Sequence, residues 1–521
     1  MKKSIIFTLL FILFCTIVLG LTLRGLQGNP TAKELNTPTW KEAGPLELSP
    51  DRGRYALLYS LVEDHSVIFS TDIARFVTPD LGISPSGHFV SLFAPALSYI
   101  LIPGYILGRY FNLAQVGTFA VVALFALINA LLIRWIAIRL GAHPIAATVG
   151  AMVFLFATPA FTYAVTLYQH HVTVFLILSS IAALMKWNGL KPLPYVWFMC
   201  GLSIALDNPN VFFMFPIGVY ALTRIFSFRV NKENGKIISR VNSIGIATLL
   251  VMIIPIGLFL WYNKVANENP FQLSGTLVSV KTIDSQGMPF NQDQPIEFKD
   301  GKVVPHDKTA VGLFNTRHLL DDFYIHFFSP DRGIIWYGPA ILFGLIGFWF
   351  LYSSNRGVAN LLLAILGANI LLYSMWGDPW GGWAFGSRYL IPSYAILGIG
   401  VGLALTKWRR KYLFTALFMI VFAYSVWVNT LGAITSSSNP PQIEILGLEK
   451  QTGLVEKYTY ERNLDLLNNN ISKSYSFQAY LKNYLTVPQF HKIIVGMISG
   501  SFALLLGWFS IFDRKSKNEE Q

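Results

Sequence analysis

Apolar runs separated by short polar or basic stretches recur along nearly the whole chain. Runs at 4–23, 112–133, 145–166, 172–187, 193–206, 210–224, 243–262, 333–353, 358–375, 390–406, 412–431 and 491–511 read as twelve membrane-spanning helices. A bilayer core of about 30 Å needs roughly 20 predominantly apolar residues, which most of these runs approach. A thirteenth run, 89–108, is interrupted by Pro95 and Pro103. Its placement decides the orientation of everything after it. If 89–108 stays on one side, Arg134, Arg139, Lys186, Lys191, the stretch from Arg224 to Arg240, Arg356, Lys407 to Lys411, and Arg514, Lys515 and Lys517 share a side with Lys2 and Lys3. If it crosses, that bias inverts, against the rule that cytoplasmic loops carry the excess of Lys and Arg. The pattern therefore predicts that 89–108 lies at the outer interface. Both termini fall inside, the 4–23 run is an uncleaved helix, and 193–206 with 210–224 form a hairpin.

This topology predicts three long outer segments, 24–111, 263–332 and 432–490, and outer turns at 168–171, 207–210 and 376–389. The chain then divides into a membrane catalytic unit, 1–431, an outer segment, 432–490, and a last helix with a tail, 491–521. Polar and aromatic residues gather on one face. The opposite face offers short basic loops and no glycine-rich phosphate cradle of Walker type, which disfavours an ATP-driven machine.

Composition agrees with an all-α polytopic membrane protein. The 521 residues are 53% hydrophobic and 13% charged, with mean hydropathy +0.48. The net charge of +12 sits in short clusters between apolar runs, a pattern of cytoplasmic loops that argues against nucleic-acid binding. Cys15 and Cys200 both lie in apolar runs, so neither a disulfide framework nor a cysteine metal site is readable.

The chemistry-bearing candidates sit in the outer segments. Asp51, in Ser49-Pro50-Asp51-Arg52-Gly53-Arg54-Tyr55, precedes a helical face of Tyr55, Leu58, Tyr59 and Val62. One reading makes Asp51 a helix cap; the other makes it a general base that takes a proton from an acceptor. The pentapeptide Ser-Pro-Asp-Arg-Gly recurs at 329–333; turn chemistry accounts for the coincidence, so no internal repeat is inferred. Arg332 in the second copy is a phosphate-binding candidate. The segment from Trp376 to Tyr389 holds Trp376, Trp380 and Trp383 among glycines. It is either an interfacial aromatic belt or a stacking surface for a sugar or isoprenoid, with Arg388 as a second phosphate ligand. His88 is a further candidate for the lipid phosphate. His170 and His171 alone are a weak metal signal. Asp207, Asp331 and Asp378 are reserve acids, and Asp207 and Asp378 are also substrate-binding candidates.

Asp51-Arg52-Gly53-Arg54-Tyr55-Ala56, a helix ending in Glu63-Asp64, and Pro85-Ser86-Gly87 before an apolar segment resemble the first outer loop of the C-type (GT-C) membrane glycosyltransferases. That superfamily includes the bacterial lipid A aminoarabinose transferases and protein O-mannosyltransferases. Asn269-Pro270-Phe271-Gln272, Ser329 to Gly333 and Gly381 to Leu390 extend the similarity over most of 1–410. The resemblance implies Asp51 as catalytic base and a polyprenyl-phosphate sugar as donor; Arg54, His88, Arg332, Arg388, Trp380 and Trp383 are expected about the substrate. Arg52 stands where that family has a second acid, and His170 where some members have a later one. An acidic pair holding a divalent metal is therefore not supported, and no cofactor is required. The expected function is transfer of a sugar to an acceptor at the outer face of the plasma membrane. The competing expectations are a transporter or flippase of lipid-linked sugars, which would need ionisable groups near mid-membrane, and a non-catalytic binder of them.

Overall fold

The computed structural model describes residues 2–230, 237–292, 295–304, 309 and 311–518. Residues 231–236 of the basic 224–240 stretch and 519–521 of the tail lie outside the described residues. Among the described residues, six helices are long and apolar enough to cross a bilayer, Ala114–Arg139, Ser243–Ala266, Arg356–Tyr373, Arg388–Trp408, Tyr412–Ile434 and Val487–Gly507. Six shorter apolar helices accompany them, Ile6–Thr22, Pro144–Phe156, His170–Lys186, Leu193–Leu206, Asn210–Leu222 and Pro339–Ser354. These twelve match the twelve apolar runs one for one. The chain is a helical multi-pass membrane protein.

Arg388–Trp408 is the central helix, 89% buried along its apolar window, whereas Ser243–Ala266 is 17% buried and lies at the edge. The 89–108 run does not form one long helix. Phe89–Ser91 is a strand, and Ala96–Tyr110 is a 15-residue helix with Pro103 inside it. That helix packs on Ala114–Arg139 so closely that a Cβ at Gly104 would meet the Gly117 carbonyl at 2.4 Å, which only a glycine tolerates.

The Pro144–Phe156 helix stops ten residues before the end of its apolar run. Pro159 lacks an amide donor and disfavours helical backbone at Thr158, so the chain leaves the helix there. The Thr158 hydroxyl turns back to the Phe154 carbonyl at 2.6 Å, and the irregular segment from 157 to 169 is buried.

The three long polar segments meet at one end of the bundle. Leu81–Ile83 pairs with Phe89–Ser91 on one side and Val278–Val280 on the other, joining the first segment to the second. Buried Arg24 pairs with Glu47 at 2.8 Å and donates to the Gly432 carbonyl at 2.8 Å, joining the first to the third. The Phe314 to Trp376 bridge brings in the tryptophan-rich turn.

Candidate functional site

Asp51 lies in the first turn of the Ser49–Glu63 helix, where a carboxylate suits the helix dipole. It is not the cap: Leu48 holds that position, with no side-chain cap hydrogen bond. Instead Asp51 Oδ1 accepts the Leu167 backbone N–H at 3.1 Å, from the irregular segment that Pro159 creates. Its Oδ2 is buried and makes no hydrogen bond within the protein. Burial pushes the Asp51 carboxyl up to about 6, against the pull of Arg54, Arg24 and Arg388.

Among the other buried polar atoms without a partner, four belong to residues electrostatically coupled to Asp51 or to each other: the Tyr168 hydroxyl, His170 Nε2, and Arg388 Nε and Nη1. The Arg388 and Arg54 guanidiniums lie 4.5 and 5.1 Å from the Tyr168 ring centre, and the His170 ring is parallel to it at 5.7 Å. A buried unpaired donor or acceptor costs roughly 1–3 kcal/mol. Two guanidinium nitrogens, a phenol and an imidazole nitrogen are thus left unpaired in the electrostatic neighbourhood of an unpaired carboxylate oxygen.

Arg54 is held in place by its neighbours. It donates to the Pro50 carbonyl at 3.0 Å and to Gln169 Oε1 at 2.6 Å, and Gln169 Nε2 donates to Asp207 Oδ2 at 2.6 Å. The Phe93 ring covers it at 4.8 Å, packed against Gly53, where a Cβ would clash at 2.6 Å. His326 positions the loop before Arg388. Its Nε2–H donates to the Tyr373 carbonyl at 3.1 Å, so Nδ1 accepts from the Ser387 hydroxyl at 2.7 Å.

One cavity adjoins Arg54, and a second meets it at Phe259. One, about 450 Å³, is lined by Arg54, Phe93, Asp207, Asn208, Phe212 and Trp376, among others. The second, about 260 Å³, is an apolar groove between the Ala96–Tyr110, Leu193–Leu206 and Ser243–Ala266 helices, lined by Tyr99, Phe198, Leu202, Leu258, Trp261 and others.

Asp51, Arg54, Arg388 and Asp207 therefore come together. Other sequence candidates do not. Arg332 was expected at a phosphate, but its guanidinium is fully buried and already bonded. It donates to the carbonyls of Trp380, Gly382, Asn439 and Asp331 at 3.0 to 3.1 Å, and pairs with Asp331 Oδ1. Asp331 Oδ2 in turn accepts from the Gln442 N–H at 3.0 Å. Asp378 accepts the Gly382 N–H at 2.7 Å and shapes the glycine turn. Trp383 donates to Glu444 at 2.7 Å beneath Arg462, and Trp380 meets Arg332 through its carbonyl. Neither tryptophan lines a cavity described above; Trp376 does. His88 is exposed on a hairpin whose backbone is held by Ser84. Arg52 faces away from the cluster, donating to the carbonyls of Glu47 and Thr78 at 3.0 Å each.

Tyr168 and Gln169 were missed as site residues because in the outer turn 168–171 nothing in their sequence set them apart. The signal present was Thr158-Pro159, which ends the helix early and leaves a buried segment that brings the Leu167 N–H to Asp51, Gln169 to Arg54 and Asp207, and the Tyr168 ring to Arg54 and Arg388. Among the described residues, no three His, Cys, Asp or Glu side chains converge as metal ligands.

A polytopic helical membrane protein with a buried acid, two arginines and a tyrosine at one end of its bundle is the class that fold and site define. No family model and no curated protein matches the chain. A solved structure with a similar course is the crystal structure of ArnT from Cupriavidus metallidurans bound to undecaprenyl phosphate. It is 14% identical, covers 96% of this chain and 77% of that one, and gives a TM-score of 0.43.

Proposed function

We propose that the protein is a membrane glycosyltransferase that moves a sugar from a polyprenyl-phosphate donor to an acceptor, with Asp51 as general base. The observation that carries the reading is the unpaired Asp51 Oδ2 among unpaired donors of Arg388 and Tyr168. In this reading the acceptor's hydroxyl gives its proton to Asp51 as its oxygen attacks the anomeric carbon. The bond from that carbon to the phosphate oxygen breaks, and the electron pair leaves with the polyprenyl phosphate. Arg388, with Nε and Nη1 unpaired, meets the growing phosphate charge, the task for which preorganised donors in a dry site are most effective. A single displacement inverts the anomeric centre. The apolar groove ending at Phe259 suits an isoprenoid chain, because it offers almost nothing to hydrogen-bond.

The end that carries the site faces outward across the plasma membrane in this reading, with both termini cytoplasmic. Cysteine placed at Ser285 should be labelled by an impermeant thiol reagent in intact cells, and cysteine at Asn188 should be protected. The reverse pattern would sink the orientation. The activity itself is tested by incubating the purified protein with a panel of polyprenyl-phosphate sugars and measuring released polyprenyl phosphate. Release from none of them, with transmembrane movement of one, would favour the transporter reading instead.

A further inference from the structure

The larger cavity is chemically lopsided. Its walls include the aromatic rings of Phe93, Phe212, Phe259, Phe314 and Trp376, while its polar side chains are Arg54, Ser274, Asp207 and Asn208, the last two in the turn between the Leu193–Leu206 and Asn210–Leu222 helices. Asp207 Oδ2 is engaged by Gln169. That turn presents the Asp207 carboxylate, which when ionised only accepts, and the Asn208 amide, which both donates and accepts. Aromatic walls suit a molecule whose faces are C–H and whose edges are O–H. At about 450 Å³ the space falls in the small-molecule range of roughly 300–1,000 Å³.

We infer that this cavity holds the transferred sugar and that Asp207 restricts it to sugars without an acidic group. The inference rests on the lipid-linked donor reading above. Hydroxyls at the sugar's edge satisfy Asp207 and Asn208. A sugar carboxylate at the same place would stand beside a carboxylate already removed from water, where repulsion is weakly screened. Arg54 does not reverse this. It lines the same cavity, but its guanidinium donates to the Pro50 carbonyl and Gln169 and packs against the Phe93 and Tyr168 rings.

The test uses the full-length protein in detergent and two probes of nearly the same shape, farnesyl-phosphate-linked glucose and farnesyl-phosphate-linked glucuronic acid, with farnesyl phosphate as reference. Burial raises the Asp207 carboxyl above its ordinary value, so binding is measured at pH 8, on the alkaline side that favours its ionised form. The glucose probe should bind at least about tenfold more tightly than the glucuronate probe. In Asp207→Asn, at matched thermal stability, that ratio should shrink to about threefold or less. Equal or tighter binding of glucuronate by the wild type overturns the inference, as does an unchanged ratio in Asp207→Asn. If farnesyl phosphate itself fails to bind, the lipid-donor reading falls and the sugar cavity with it.

Discussion

Ser-Pro-Asp-Arg-Gly occurs twice in this chain, and the two copies have opposite fates. At 49–53 it opens the 15-residue Ser49–Glu63 helix. At 329–333 it is a turn that leads into the four-residue Ile334–Tyr337 helix, which Gly338-Pro339 ends. The first aspartate keeps one oxygen unpaired, and its arginine is tied to distant carbonyls. The second aspartate and its arginine are paired to each other, with every side lobe of Arg332 bonded to backbone. Identical local chemistry thus leaves a carboxylate oxygen unclaimed in one place and makes a rivet in the other. What surrounds each copy decides, because a carboxylate is a base only when no donor has already claimed it.

The widest separation between the two copies should come from paired substitutions. Asp51→Asn should leave the melting temperature near wild type and lower sugar transfer by about 10²–10⁴-fold, the usual loss with a general base. Turnover near wild type in Asp51→Asn would remove Asp51 as the base. Asp331→Asn should do the reverse. Arg332 keeps its charge in a buried place, and breaking such a pair costs about 3–5 kcal/mol. Thermal unfolding should show that loss, while the turnover of the molecules still folded stays near wild type. A stable but inactive Asp331→Asn would erase the distinction between the copies.

The pH dependence sharpens the comparison further. A base needs its ionised form, and burial holds Asp51 up to about 6 instead of the ordinary carboxylate range. Activity should therefore be full well above pH 6 and fall as the pH drops through about 6. The limb should disappear from the residual activity of Asp51→Asn. A limb near pH 4 in the wild type would mean that Asp51 is more solvated than the structure has it.

Arginine substitutions give smaller contrasts. Arg388→Lys should retain some donor use but weaken it, about tenfold in donor KM, since an ammonium cannot match phosphate with a two-pronged fork. Arg332→Lys should instead lower stability with donor KM unchanged. The smallest expected effect is at Tyr168. Tyr168→Phe keeps the ring against both guanidiniums and loses one neutral hydrogen bond, a change of about threefold to tenfold in turnover. Tyr168→Leu should cost more, because each cation–π contact is worth about 0.5–2 kcal/mol. Equal rates in the two variants would show that the ring has no part in placing Arg54 and Arg388.

Hydrophobic patterning alone was enough for the twelve apolar helices, because a bilayer demands long apolar stretches whatever they later touch. It also marked 89–108 as interrupted, and there the structure has a strand and a 15-residue helix in place of one long helix. Asp51 and Arg388 were legible as well: a polar residue beside a span stands out against its surroundings. The use of each polar residue was not legible. Arg332 resembled Arg388 in sequence, yet carbonyls of Trp380, Gly382 and Asn439, residues 48 to 107 positions away, consume its donors. Tyr168 was one residue of an outer turn, and only the fold sets its ring against Arg54 and Arg388. Whether a hydrogen-bonding group is spent or free depends on partners from distant segments, and only the tertiary structure brings those together.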